Sequence, residues 1–290
     1  MKNIWTLILI GLLGACNLNT EATKEVKKAE RIISASKQYT EIIYALGADD
    51  KLVGVDLSSS YPPETSQKPN VGYHMHLSVE GMASLNPDLI LHGGGKFSIG
   101  PPEAVNQLKK VGIPMHTFDT KAKDIPTTIQ LMREMGAFFD KKEEAEKLIQ
   151  KLESDMNKVQ IIQDTIQNRP KVLAIHFGQA MNIYLALDKT SVGGQMIEWA
   201  GGEYCLNKGK GMNRITSPEM IARANPDVIL LTGFGYDRLG SVEKVKEIPG
   251  IALTNAAKND KIYRVEAHDL IYFGPRTGKN VLKLNEIIFQ

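Results

Sequence analysis

Tyr73, His74, Met75 and His76 stand together in one short run after Gly72, and all four side-chain types serve as axial ligands to iron and haem. A lone tyrosine at a strand edge, or a lone histidine in a solvated loop, is the ordinary alternative. Four such groups in a glycine-preceded loop concentrate ligating chemistry at one place. His176 follows the apolar run Val172-Leu173-Ala174-Ile175, so it sits at the carboxyl end of a strand, although a hydrogen-bonded core histidine would have the same spacing. Two glycine-bearing stretches complete the set: His92-Gly93-Gly94-Gly95-Lys96, and Tyr272-Phe273-Gly274-Pro275-Arg276-Thr277. Glycines let a flat ligand approach the backbone. Lys96 and Arg276 are candidate partners for ligand carboxylates, Arg276 through its bidentate fork, or else solvated surface charges. No GxGxxG or GxxxxGK[ST] supports a nucleotide site, and no GxSxG, HExxH or paired-carboxylate signature supports a hydrolase, so the chain is not expected to be an enzyme.

The elements that must position these groups come from an internal duplication. Residues 78–91 and 217–230 superimpose without gaps at a constant offset of 139. Each copy reads as a helix opened by a serine N-cap (Ser78, Ser217), with a glutamate in the first turn (Glu80, Glu219), a break at Asn-Pro-Asp, and a short buried strand. A weaker echo, 42–48 and 196–202, reads as apolar helices stopped by glycine. Each half opens on a strand, Arg31 to Ser36 and Lys171 to Ile175, and short apolar runs such as Leu52 to Val55 and Met115 to Phe118 alternate with helices. That alternation predicts an α/β fold of two Rossmann-like lobes with parallel sheets. Between them, Leu131, Met135, Phe138, Leu148, Leu152, Met156 and Val159 recur at helical spacing and predict a single long helix joining the lobes. The expected lobes are 31–123 and 170–290, with 124–169 as the connector. Ligands of open parallel sheets bind beyond the carboxyl ends of the strands, which puts the ligand cleft between the lobes.

The chain has 290 residues, 42% of them apolar and 23% charged, enough to build a sizeable core. A formal net charge of +2 offers no basic surplus for a phosphate backbone, so nucleic acid is not an expected partner. At the amino end Lys2, an apolar run from Ile4 to Leu13, and small residues before Cys16 read as a signal peptide over 1–15, too short to span a membrane. The polar, Lys- and Glu-rich stretch that follows makes 16–30 a flexible tether. Cys205 is then left without an intramolecular disulfide partner.

The Leu13-Gly14-Ala15-Cys16 ending resembles a bacterial lipoprotein processing site, with Cys16 lipidated. Taken with Arg31-Ile32-Ile33-Ser34, Thr40-Glu41-Ile42-Ile43-Tyr44-Ala45-Leu46-Gly47, Val71-Gly72-Tyr73, the two glutamate-bearing repeats and Phe273-Gly274-Pro275-Arg276-Thr277, the chain resembles the haem-binding proteins of bacterial haem ABC importers, within the siderophore and cobalamin carrier group. The resemblance implies a monomeric, lipid-anchored periplasmic or extracytoplasmic carrier that captures hemin and delivers it to an ABC permease dimer with its ATPase. It implies Tyr73 as axial ligand to ferric haem, His176 as a second ligand, and Glu80 and Glu219 as permease-docking carboxylates. Relatives carry an arginine two residues after the tyrosine, where Met75 stands here; His74 or His76 can replace it as hydrogen-bond donor, propionate partner or ligand, and Met75 can pack on the porphyrin. The competing readings are a ferric siderophore or corrinoid carrier, and, from another class, a haem or metal-dependent enzyme.

Overall fold

Period-two burial builds the first sheet. Ile32 and Ile33 are adjacent, fully buried, and packed into two different cores, one on each face of the strand they share. The computed structural model describes residues 29–73, 76–94, 99–178, 181–206, 211–215 and 217–290. The proposed signal peptide, Cys16 and most of the tether lie outside them, as do His74, Met75 and Lys96. Ala29 and Glu30, expected in the tether, belong to the fold: Ala29 is buried, and the Glu30 amide donates to Asp88 Oδ2 at 3.0 Å.

In chain order the first half contributes β1 (Ile32–Ala35), β2 (Leu52–Val55), a short hairpin of β3 (Gly72–Tyr73) and β4 (His76–Leu77), β5 (Leu89–His92) and β6 (Met115–His116). Strands β2-β1-β5-β6 form an all-parallel sheet. Helix α1 (Lys37–Ala45) covers one face; α2 (Val79–Ser84) and α3 (Pro102–Val111) cover the other, burying Met82 and Leu108 against Ile33 and Ile90.

The single connecting helix is in fact two, α4 (Ile125–Phe138) and α5 (Lys142–Thr165). Asp140 adopts φ 56°, a left-handed conformation that no helix continues through. The amide of Lys141 then donates to Gly136 O at 2.7 Å, and α5 folds back along α4. Of these two helices, α5 is the one that bridges the halves. Its 24 residues span about 36 Å, with Ile149 and Leu152 in the first core, Val159 in the second, and Met156 touching both.

The second half contributes β7 (Lys171–Gly178), β8 (Ile183–Leu187), β9 (Glu203–Tyr204), β10 (Met212–Arg214), β11 (Val228–Thr232) and β12 (Ile262–Val265), interleaved with α6 (Val192–Trp199), α7 (Pro218–Ala224), α8 (Gly233–Leu239), α9 (Val242–Lys246), α10 (Asn255–Lys258) and the closing α11 (Thr277–Ile288). The sheet runs β10-β8-β7-β11-β12 with β9 beside β7. It is mixed rather than parallel, because β8 and β10 run antiparallel to their neighbours. The connection from Gly178 to Ile183 is far shorter than the dozen or more residues of a parallel crossover.

The two repeats do the same structural work. Asn86 and Asn225 both take left-handed conformations, φ 45° and 41°, where each helix ends. The aspartate two residues on then clamps the entering strand of its own lobe. Asp88 Oδ2 accepts the Arg31 amide at 3.0 Å, and Asp227 Oδ2 accepts the Lys171 amide at 3.0 Å. The serines differ: Ser78 caps the Gly81 amide at 2.9 Å, whereas the Ser217 side chain makes no cap hydrogen bond to α7. Among the described residues no helix is long and apolar enough to cross a membrane.

Helix α11 approaches α5 closely enough to require glycine, since a Cβ at Gly278 would lie 2.7 Å from Asp155 Cβ and 3.0 Å from the Met156 nitrogen. Gly278→Ala is expected to cost about 1–3 kcal/mol, read as a lower urea midpoint, because backbone and not a flexible side chain must yield.

Candidate ligand-binding cleft

Strand ends build the site. Lys37 follows β1, Leu57, Ser58 and Ser60 follow β2, and all four line one cleft of about 530 Å³ that is open to solvent. The opposite wall comes from the other half: His176, Phe177 and Gly178 end β7, Phe234 follows β11, and Ala267 and His268 follow β12. Tyr73 lines the same cleft, so the structure brings Tyr73 and His176 together from different sheets.

Tyr73 is held by backbone. The Val71 amide donates to Val55 O at 3.0 Å and the Leu57 amide to Gly72 O at 2.8 Å, which staples the β3–β4 hairpin to the end of β2. Gly72 adopts φ 96°, a region open to glycine. Tyr73 pairs in register with His76. Burial raises the Tyr73 phenol above its usual value, and the negative charge of Asp56 raises it further. The phenol is therefore protonated at neutral pH.

His176 is set by Thr232. Its Nδ1 lies 3.2 Å from Thr232 Oγ1, which also accepts the Phe177 amide at 3.2 Å. A hydroxyl oxygen has two lone pairs, so it can accept from both, and the tautomer with the proton on Nδ1 leaves the Nε2 lone pair free to ligate. Burial pushes the imidazole down to about 4, and the Lys37 charge works in the same direction. His176 is thus neutral, the form that binds a metal.

Arg276 does not line the cleft. Its guanidinium grips Glu41 bidentately, Nε to Oε1 and Nη2 to Oε2 at 3.0 Å each, while Nη1 donates to Asp269 Oδ1 at 2.6 Å. The ring of Tyr61 lies beneath it, 3.5 Å from centroid to Cζ. In this structure its fork is occupied by a buried glutamate of α1, across the lobe boundary, rather than turned toward the cleft. Glu80 and Glu219 are both exposed in the first turns of α2 and α7. Cys205 is packed among apolar groups, and burial pushes its thiol up to about 12, so it is an inert thiol.

Lys37 and His268 were missed by the sequence reading. The rule that located His176 would have found both, since each stands just beyond the carboxyl end of a strand. The His268 ring lies against that of Tyr61, tilted by 34° with centroids 4.8 Å apart, and its Nε2 is 3.5 Å from Asp269 Oδ1.

A family model described as "Periplasmic binding protein" matches residues 32–268. The chain belongs to that family. This binding protein is 30% identical over 278 residues to the uncharacterized ABC transporter substrate-binding lipoprotein YvrC of Bacillus subtilis, covering 95% of this chain and 84% of that one. It is 28% identical over 213 residues to the vitamin B12-binding protein of Yersinia pestis, covering 73% and 72%. Among solved structures, the periplasmic heme-binding protein RhuT of Roseiflexus sp. RS-1, in apo form, superimposes with a TM-score of 0.79 at 31% identity, over 90% of this chain and 98% of that one. The family consists of substrate-binding components of transport systems rather than enzymes. It implies an extracytoplasmic location and a permease with its ATPase as partner.

The state of His176 makes this binding protein acid-sensitive. An unfolded histidine takes up its proton near about 6.5, whereas the folded ring resists until about 4. The part of the stability linked to His176 is therefore full above the unfolded value and falls as pH drops between the two, by at most roughly 3 kcal/mol. In His176→Gln the difference in urea midpoint between about pH 7 and pH 4.5 should narrow; an unchanged difference would place the titrating group elsewhere.

Proposed function

We propose that this binding protein is a haem carrier, taking up hemin at the outer face of the cell envelope and presenting it to an ABC permease without chemical conversion. The observation that carries this reading is the approach of Tyr73 and His176 to one cleft from opposite lobes. An anionic phenolate and a neutral imidazole are axial-type ligands, one for each face of a macrocycle that brings its own equatorial nitrogens. Leu57 and Phe234 line the cleft at 47% and 37% exposure, and apolar side chains of that size in a cleft suit a flat apolar ligand. The similarity to RhuT supports haem, whereas the similarity to the vitamin B12-binding protein favours the alternative of a corrinoid.

Within this reading Cys16 carries the lipid anchor, residues 31–123 and 170–290 act as the two lobes of a monomer, and 124–169 holds them at a fixed spacing. Iron binding displaces the Tyr73 proton, because a cation stabilises the phenolate. Purified protein titrated with hemin should give a shifted Soret band with a saturable endpoint. Tyr73→Phe should lose most of that shift, and His176→Ala should alter it. About one proton should be released per haem bound near pH 6, and none in Tyr73→Phe. A spectrum that neither substitution changes would refute the ligand assignment.

Glu80 and Glu219 occupy matching positions on the repeats, and two such carboxylates suit a two-fold permease with basic pockets. The double variant Glu80→Ala/Glu219→Ala should bind hemin as the wild type does but fail to stimulate the ATPase of its reconstituted transporter. Undiminished stimulation would rule out docking through these residues.

A further inference from the structure

Lys37 carries a charge that the ligand set above leaves unused. It opens α1 directly after β1 and lines the cleft with Tyr73 and His176. An ammonium in the first turn sits at the wrong end of the helix dipole, which favours anions there. Burial adds to that cost, since it disfavours the charged form and pushes the amine below its usual value. Asp56 counters this from nearby, yet no ion pair joins the two side chains. The Asp56 carboxylate is instead occupied by the Ser58 amide at 3.1 Å, the Ser58 hydroxyl at 2.5 Å and the Ser59 hydroxyl at 2.6 Å. The Lys37 Nζ stands 5.9 Å from the centroid of the Tyr272 ring, a weak cation–π distance.

Among the described residues the other cations beside the cleft have partners of their own, Arg264 in Asp237 and Glu266 and Arg238 over the Phe177 ring. Among the described residues that line the cleft, Lys37 is the only lysine or arginine. Arg276 is saturated by Glu41 and Asp269, and Lys121 Nζ donates to Thr117 Oγ1 at 2.8 Å and Phe118 O at 3.0 Å. A cation kept under-paired inside a cleft, against both its helix dipole and its desolvation, is stabilised most by a ligand that brings an anion to it.

We propose that Lys37 is the anion anchor of this cleft: it pairs with a carboxylate on the rim of a large planar ligand and so selects acid-bearing macrocycles over those whose side chains are neutral amides. The choice of haem as probe rests on the functional reading above, since hemin carries propionate carboxylates and a corrinoid such as cyanocobalamin carries amides. Wild type, Lys37→Met and Lys37→Arg are titrated in the visible region with hemin, with hemin dimethyl ester, whose carboxylates are blocked, and with cyanocobalamin.

Wild type should prefer hemin to the ester. Lys37→Met should weaken hemin by about 10- to 100-fold, the range for a hydrogen bond to a charged group, leave the ester within about two-fold, and so erase the preference. Lys37→Arg should keep most of the hemin affinity, and the Soret maximum should be common to all three proteins because the iron ligands are untouched. Lys37→Met should also unfold no earlier in urea, since it removes a poorly solvated charge. Equal losses for hemin and ester in Lys37→Met, or a wild type that binds both alike, would overturn the anchor while leaving the haem reading intact. Binding of cyanocobalamin with no Soret shift from either porphyrin would overturn both.

Discussion

Glu41 is 3% exposed on a helix of the first lobe, and its carboxylate is held by an arginine of the second. Everything at the cleft depends on this pair. Two charges taken out of water cost several kcal/mol apiece, and that cost is met only when the geometry is good and the spare lone pairs are filled. Both conditions hold. The Arg276 fork is bidentate, the Tyr272 hydroxyl donates to Glu41 Oε2, and Asp269 takes the remaining guanidinium nitrogen. Gln38 adds a bond across the same boundary, Nε2 to Phe273 O at 2.6 Å. An apolar contact could slide; a bidentate fork has one register. The seam thereby fixes where the wall bearing Tyr73 stands relative to the wall bearing His176.

The electrostatics of the cleft follow one pattern. Burial raises the Tyr73 phenol, lowers the His176 imidazole and lowers the Lys37 amine, so each group is driven toward its neutral form. Charge therefore enters such a cleft most cheaply as pairs: a metal cation with a phenolate, or a carboxylate with an ammonium. Discrimination arises from the walls before any contact is optimised, because a ligand bringing a single uncompensated charge finds little to balance it.

How far the sequence could be read depended on whether the information was local. The Asn-Pro-Asp repeats, the glycine-stopped helices and the strand preceding His176 are local patterns, and each appears in the fold. The role of Arg276 is not local. Its type announced a bidentate partner, but the partner lies in Glu41, 235 positions earlier, and no spacing rule connects them. Asp140 shows a smaller limit: the apolar period runs on past it, and only its left-handed backbone reveals that the connector folds back. Lys37 and His268 were legible in principle, because both lie just past strand ends. Yet β12 is four residues long with a charged Arg264 inside it, a weak strand signal, and a lysine after a strand looks like any helix-opening surface residue.

The aspartates of the two repeats have a mechanical meaning. Asp88 ties the end of one repeat to the amide at the start of β1, and Asp227 ties the other to the start of β7. β1 leads at its far end to Lys37, and β7 carries His176. Each lobe thus joins an exposed helix, a hydrogen-bonded joint and a strand whose other end lies in the cleft, so the outer face of the repeat and the ligand wall are two ends of one continuous path.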